Sequence, residues 1–216
     1  MKVLVIGANG QIGKQLVKLL NESNDFTVKA MVRKEEQANF FREEEVETVI
    51  ADLEGSISEI AQAAAGCDAV VFTAGSGGHT GADKTLLVDL DGAVKSIEAT
   101  KQAGIDRYVM VSAFQANNRE NWNEKIRHYY VAKHYADKEL EKSGLTYTIV
   151  RPGGLTNEQG IGKVTIAENL TTRGSIARED VAKTVFASIN NKQTYNRSFD
   201  LIQGDEEIQE ALKRLS

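Results

Sequence analysis

Short apolar runs recur along the chain at Val3–Ile6, Phe26–Val32, Thr48–Ala51, Ala69–Thr73, Arg107–Val111, Thr146–Val150 and Ser198–Ile202. They are rich in β-branched residues and show little alternation, the pattern of strands covered on both faces. Between them the period changes. Gln11–Leu20 brings Ile12, Leu16, Leu19 and Leu20 to one side of a helix. Helices are likewise predicted over Glu35–Arg42, Ile57–Ala65, Thr85–Ala103, Tyr129–Ser143, Glu179–Ile189 and Glu206–Leu215. Gly66, Gly104 and Gly144 follow three of them as natural helix stops. Lys163–Ala167 with Asn169–Arg173 predicts a small hairpin.

Strand and helix in regular succession imply an α/β fold, a doubly wound and mostly parallel sheet with helices on both faces. No linker, longer repeat or low-complexity tract interrupts residues 1–216, which predicts a single domain. Its core is expected over 1–152, with 153–216 as a small substrate-side elaboration carrying the last strand and helix. Ligands of such sheets bind beyond the carboxyl ends of the strands. Function is therefore to be sought at Gly7–Gly13, Arg33–Lys34, Asp52–Leu53, Ala74–Gly81, Ser112–Asn118 and Arg151–Gly154.

Composition narrows the classes. The formal net charge of −5 argues against a nucleic-acid partner, which needs a basic face. The single cysteine, Cys67, rules out an internal disulfide and any Cys-based zinc cluster. His79, His128 and His134 show no metal-ligand spacing, so no metal is expected. No apolar run approaches the roughly 18 residues of a membrane span. The expectation is a cytoplasmic protein, monomer or homodimer, with a small-molecule substrate and no membrane partner.

Gly7, Gly10 and Gly13 sit between the first strand and the first helix. There, backbone N–H groups and the positive end of a helix can meet a pyrophosphate. Asn9, Gln11 and Ile12 complete that turn. The alternative reading of Gly13 is close packing of helix on strand, and both can hold. The second strand ends at Arg33 and Lys34, where an NAD site commonly carries an acid for the ribose hydroxyls. A guanidinium there suits a 2′-phosphate and predicts NADP(H) over NAD(H). The alternative is a solvated helix start, with Glu35 and Glu36 close by. Asp52 can accept from an adenine amino group, and Leu53 can cover a ring face. The small residues Ala74, Gly75 and Ser76 let a dinucleotide pass near the backbone.

These pieces, with Val109-Met110-Val111-Ser112, Tyr129-Tyr130-Val131-Ala132-Lys133, Tyr147 to Gly153 and Ser175 to Ala182, span most of the chain. The sequence resembles the short-chain dehydrogenase/reductase superfamily of Rossmann fold. More narrowly, it is similar to the small atypical NAD(P)-binding members labelled NmrA-like or sugar epimerase-like. The resemblance implies that Tyr129 is the acid/base toward a substrate carbonyl or hydroxyl. It implies that Lys133 binds the nicotinamide ribose and lowers the tyrosine pKa, the two lying one helical turn apart. Ser112 would position the substrate oxygen. Ala113 and Phe114 follow it, so a register one or two residues later would carry no hydroxyl. Pro152 and Gly153 would pass the nicotinamide. The implied activity is NADP(H)-dependent oxidoreduction of a small carbonyl, quinone or flavin-like acceptor. The same resemblance leaves open an NAD(P)-dependent sugar epimerase and a non-catalytic dinucleotide-binding sensor.

Overall fold

The computed structural model describes residues 1–215. Strands β1 (Lys2–Ile6), β2 (Thr27–Val32), β3 (Glu47–Ile50), β4 (Ala69–Phe72), β5 (Arg107–Val111), β6 (Thr146–Pro152) and β10 (Arg197–Gln203) lie in one sheet. Their spatial order is β3-β2-β1-β4-β5-β6-β10, and every neighbouring pair is parallel. Strand β8 (Lys163–Ala167) adds antiparallel to β10, and β11 (Glu206–Glu207) adds beyond it. Strands β7 (Gly154–Thr156) and β9 (Ser175–Ala177) form a separate parallel pair.

Alternate residues of each strand feed two cores. Val3, Val5, Ala30, Val71, Val109 and Val150 pack on one face, under α1 (Gln11–Asn21), α2 (Glu35–Glu43), α7 (Arg178–Ile189) and α8 (Ile208–Lys213). Leu4, Ile6, Val70, Phe72, Met110 and Ile149 pack on the other, under α3 (Ile57–Ala64), α5 (Ala93–Gln102) and α6 (Arg127–Lys142). Each fully buried aliphatic side chain contributes about 1.5–3 kcal/mol, so both faces resist a register slip. Ser56 and Glu59 close a capping box at the start of α3, which fixes where the chain turns after β3. Strands β1 and β4 are neighbours, yet the chain runs from β1 toward β3 and from β4 toward β10. That is the switch point at which doubly wound sheets bind ligands.

Four expectations need correction. The long helix expected from Thr85 begins earlier, with α4 (Ala82–Lys84), and widens to a π-helix over Thr85–Gly92 before α5. The hairpin of Lys163–Ala167 with Asn169–Arg173 does not form. Strand β8 instead pairs with β10, while Leu170 donates its N–H to the buried Asp200 carboxylate. The terminal helix is shorter than expected, because Glu206 and Glu207 are taken up by β11. Finally, β6 continues through Arg151 and Pro152. The missing proline N–H is tolerated at its last residue. The Pro152 carbonyl accepts from Phe114 N–H, and the next donor, Gly153 N–H, reaches Leu201.

Candidate functional site

The glycine turn joins β1 to α1, and each glycine answers a different constraint. Gly7 has φ +82°, and a Cβ there would lie 2.6 Å from the Ala74 backbone nitrogen. The turn and the loop after β4 are therefore in backbone contact. A Cβ on Gly13 would lie 2.3 Å from the Gly7 carbonyl and 2.9 Å from Ala8 Cα, so Gly13 lets α1 sit close on the turn. Gly10 is the N-cap, with φ −69° and ψ 164°, a conformation open to any residue. Its Cβ would meet only the Gly7 carbonyl, at 3.2 Å. No side chain caps α1, and no acid stands in its first turn. Asn9, Gly10 and Gln11 are exposed, while Ile12 and Gly13 are buried beneath them. The first-turn N–H groups have no intrahelical acceptor, and the helix end carries partial positive charge. This surface fits a pyrophosphate.

Arg33 is exposed at the end of β2, directly beside that turn in the sheet. Its backbone N–H is held by Gln37 at 3.1 Å. Its guanidinium has no ion-pair partner among the described residues, whereas Arg42 nearby is paired to Glu35. Asp52 is also exposed, and one oxygen accepts Glu54 N–H at 3.0 Å in its own turn. Leu53 departs from expectation. It is a buried core residue, its Cβ 3.0 Å from where a side chain on Gly92 would start.

After β4, Thr73 Oγ1 donates to the carbonyls of Ile6 and Gly7 at 3.0 and 3.3 Å. This holds Ala74, Gly75 and Ser76 along the turn. Ser76 N–H donates to Asp89 Oδ2 at 3.0 Å, so the π-helical stretch presents a buried carboxylate to this loop. Tyr129 and Lys133 are one turn apart on α6. Lys133 is buried, its Nζ donating to the Val111 carbonyl at 2.9 Å and lying 5.7 Å from the Phe72 ring centroid. Tyr129 is partly buried, and its hydroxyl makes no hydrogen bond among the described residues. Its phenol is pushed up, first by desolvation and then by the Asp89 carboxylate. The Lys133 ammonium, expected to lower it, donates to the Val111 carbonyl. Ser112 is buried as well, and its Oγ has no hydrogen-bond partner.

On the substrate side, Gln115 (φ 57°) follows Phe114. Its N–H and Nε2 donate to the two oxygens of the buried Asp200 at 3.1 and 2.8 Å. Gln115 Nε2 also reaches the Leu170 carbonyl, and Asn117 pairs with Asn169 at 2.7 Å. The segment that was expected to be half of a hairpin is instead clasped against the loop after β5. Trp122 stacks on Tyr130, with centroids 6.0 Å apart.

A family model for NAD(P)H binding matches residues 7–192, from the glycine turn to just past the end of α7. The chain belongs to this NAD(P)H-binding family. An uncharacterized sugar epimerase, YhfK, of Bacillus subtilis is 64% identical over 215 residues, covering 100% of both chains. A Bacillus halodurans structure provisionally called an NAD-dependent epimerase/dehydratase superposes with a TM-score of 0.93 at 42% identity, covering 99% of each chain. The oxidoreductase ylbE of Lactococcus lactis gives 0.88 at 32%, covering 100% of this chain and 96% of its own.

Within this family member, some of the site escapes sequence reasoning. Asp89 lies in a stretch that reads as an ordinary helix, and only the changed helical pitch turns it toward Ser76. Asp137 and Arg151 form a buried pair at 2.9 Å. Asp137 at one turn past Lys133, flanked by Ala136 and Leu140, was the available signal for it. Among the described residues, no group of three His, Cys, Asp or Glu can hold a metal ion, and no helix is long and apolar enough to cross a membrane. A concavity of about 700 Å³ lined by Asp25, Phe26, Phe186 and Lys192 lies at the amino ends of the strands, away from all of these residues.

Proposed function

We propose that the protein is an NADP(H)-dependent oxidoreductase acting on a small carbonyl, quinone or flavin-like acceptor. The observation that carries the reading is the uncapped start of α1 beside the unpaired Arg33 guanidinium. Backbone N–H groups there would hold the pyrophosphate, and Arg33 the 2′-phosphate. The nicotinamide, when bound, supplies or accepts a hydride. Lys133 would move from the Val111 carbonyl to the nicotinamide ribose, Pro152 and Gly153 would border the ring, and Tyr129 would exchange a proton with the acceptor oxygen. The ammonium, once turned toward the site, would favour the phenolate. The name of the similar ylbE supports the oxidoreductase reading, and that of YhfK supports a hydride-shuttling sugar epimerase in the same site.

A dinucleotide-binding sensor without turnover is favoured by one specific pair of facts. Ser112 is buried with its hydroxyl unpartnered, and desolvation pushes the Tyr129 phenol up rather than down. Consumption of NADPH separates the readings. With a panel of quinones, flavins and small aldehydes, the oxidoreductase oxidises NADPH, and Tyr129→Phe slows carbonyl reduction by ~10²-fold or more. Saturable NADPH binding with no consumption across the panel would instead establish the sensor.

A further inference from the structure

Buried polar groups cluster around Lys133, and two of them, Asp137 and Arg151, take no part in the steps above. Lys133, Arg151, Asp137 and Ser112 are 1, 1, 2 and 3% exposed. Arg151 is fully engaged. Its Nε donates to Asp137 Oδ2 at 2.9 Å, its Nη1 to Ser198 Oγ at 3.2 Å, and its Nη2 lies 3.6 Å from Glu141. Asp137 Oδ1 and Ser112 Oγ are both buried and lack a partner of hydrogen-bond geometry. Burial pushes the Asp137 carboxyl up, against the lowering effect of Arg151.

Stability alone does not account for this arrangement. A buried ion pair is often no better than two well-packed apolar side chains. Placement offers another reason. Asp137 follows Lys133 by one turn of α6, on the same face. Arg151 immediately precedes Pro152 and Gly153 at the end of β6, and Ser112 immediately follows Val111, whose carbonyl receives Lys133.

We propose that Asp137 is a positioning residue, tying α6 through Arg151 to the end of β6. Lys133 is thereby held at a fixed place relative to the strand ends that border the nicotinamide. The inference rests on the reading of Lys133 as the nicotinamide-ribose residue.

The test separates the two ends of the cofactor. The double variant Asp137→Leu, Arg151→Met removes the tie while leaving apolar groups to fill the space. NADPH is titrated by nicotinamide fluorescence, and 2′,5′-ADP, which lacks the nicotinamide ribose, by calorimetry. NADPH affinity falls ~10-fold, and 2′,5′-ADP affinity stays within about twofold. Asp137→Asn, which keeps the side-chain shape and an acceptor for Arg151, shifts NADPH in the same direction by about threefold. Unchanged NADPH affinity in both variants, or equal weakening of both ligands, overturns the proposal. If the wild-type protein binds 2′,5′-ADP but gains nothing from the nicotinamide half, the reading of Lys133 fails first, and the proposal with it.

Discussion

Replacing the turn glycines one at a time should separate packing from phosphate binding. Gly13→Ala drives a methyl to 2.3 Å from the Gly7 carbonyl and 2.9 Å from Ala8 Cα. Both are backbone atoms, so α1 must shift. Overpacking of this kind costs about 1–3 kcal/mol, which for a chain of this size lowers Tm by roughly 2–12 °C. Gly7→Ala adds left-handed strain of about 1–2 kcal/mol to a 2.6 Å approach to the Ala74 nitrogen. Gly10→Ala is different, because its φ is ordinary and its new methyl meets one carbonyl at 3.2 Å. Its stability cost is below about 1 kcal/mol, that of a poorer N-cap. Its methyl is nonetheless added at the exposed start of α1, where the proposed pyrophosphate must approach. Losing a charge-assisted hydrogen bond of about 1.5–3 kcal/mol there weakens cofactor binding ~10- to 100-fold. Thermal unfolding and NADPH titration of the three variants measure both quantities. A Gly10→Ala protein that keeps wild-type NADPH affinity would refute the assignment of this turn to the pyrophosphate.

Three further outcomes are expected. Arg33→Ser weakens NADPH ~10-fold, leaves NADH within about twofold and flattens the salt dependence of NADPH binding, since it removes one exposed ion pair with phosphate; a uniform loss for both cofactors would remove Arg33 from the 2′-phosphate. Asp200→Ala strands the donors on Gln115 and Leu170 that it now accepts, at a combined cost of about 2–4 kcal/mol. The Gln115 and Leu170 amides should then exchange hydrogen faster, and unchanged protection would show that the clasp does not depend on this carboxylate. Tyr108 is fully buried against Ser96 Oγ at 2.6 Å, and burial raises its phenol pKa. The unfolded chain therefore loses this proton near pH 10 while the native state keeps it, so stability falls as pH rises above 10, by about 1.4 kcal/mol per pH unit. Tyr108→Phe should reduce that slope by one proton, and an unaltered slope would mean that other groups carry it.

The sheet was legible because parallel strands covered on both faces leave near-continuous apolar runs, and Val3–Ile6 and Ala69–Thr73 are of that kind. The turn at Gly7 and the exposed Arg33 follow β1 and β2, and Tyr129 and Lys133 lie one turn apart on α6. What was hidden depends on geometry that sequence does not encode locally. The π-helix over Thr85–Gly92 reads as an ordinary helix. The partner of Lys163–Ala167 is a distant strand, so its neighbour in sequence was chosen wrongly. Proline removes a donor, yet at Pro152 only the last residue of β6 is affected. Leu53 and Ser112 stand at strand-end positions suited to ligands, but their side chains turn inward.

The central claim is that the glycine turn, Arg33 and the Lys133 side of α6 together hold NADP(H). Parallel titrations of the wild-type protein with NADPH and NADH, read by nicotinamide fluorescence, test it most directly. The account predicts that both saturate, with NADPH at least ~10-fold tighter, the margin of about 1.4 kcal/mol expected of one guanidinium–phosphate contact. Tighter binding of NADH, or no saturation by either, would contradict it.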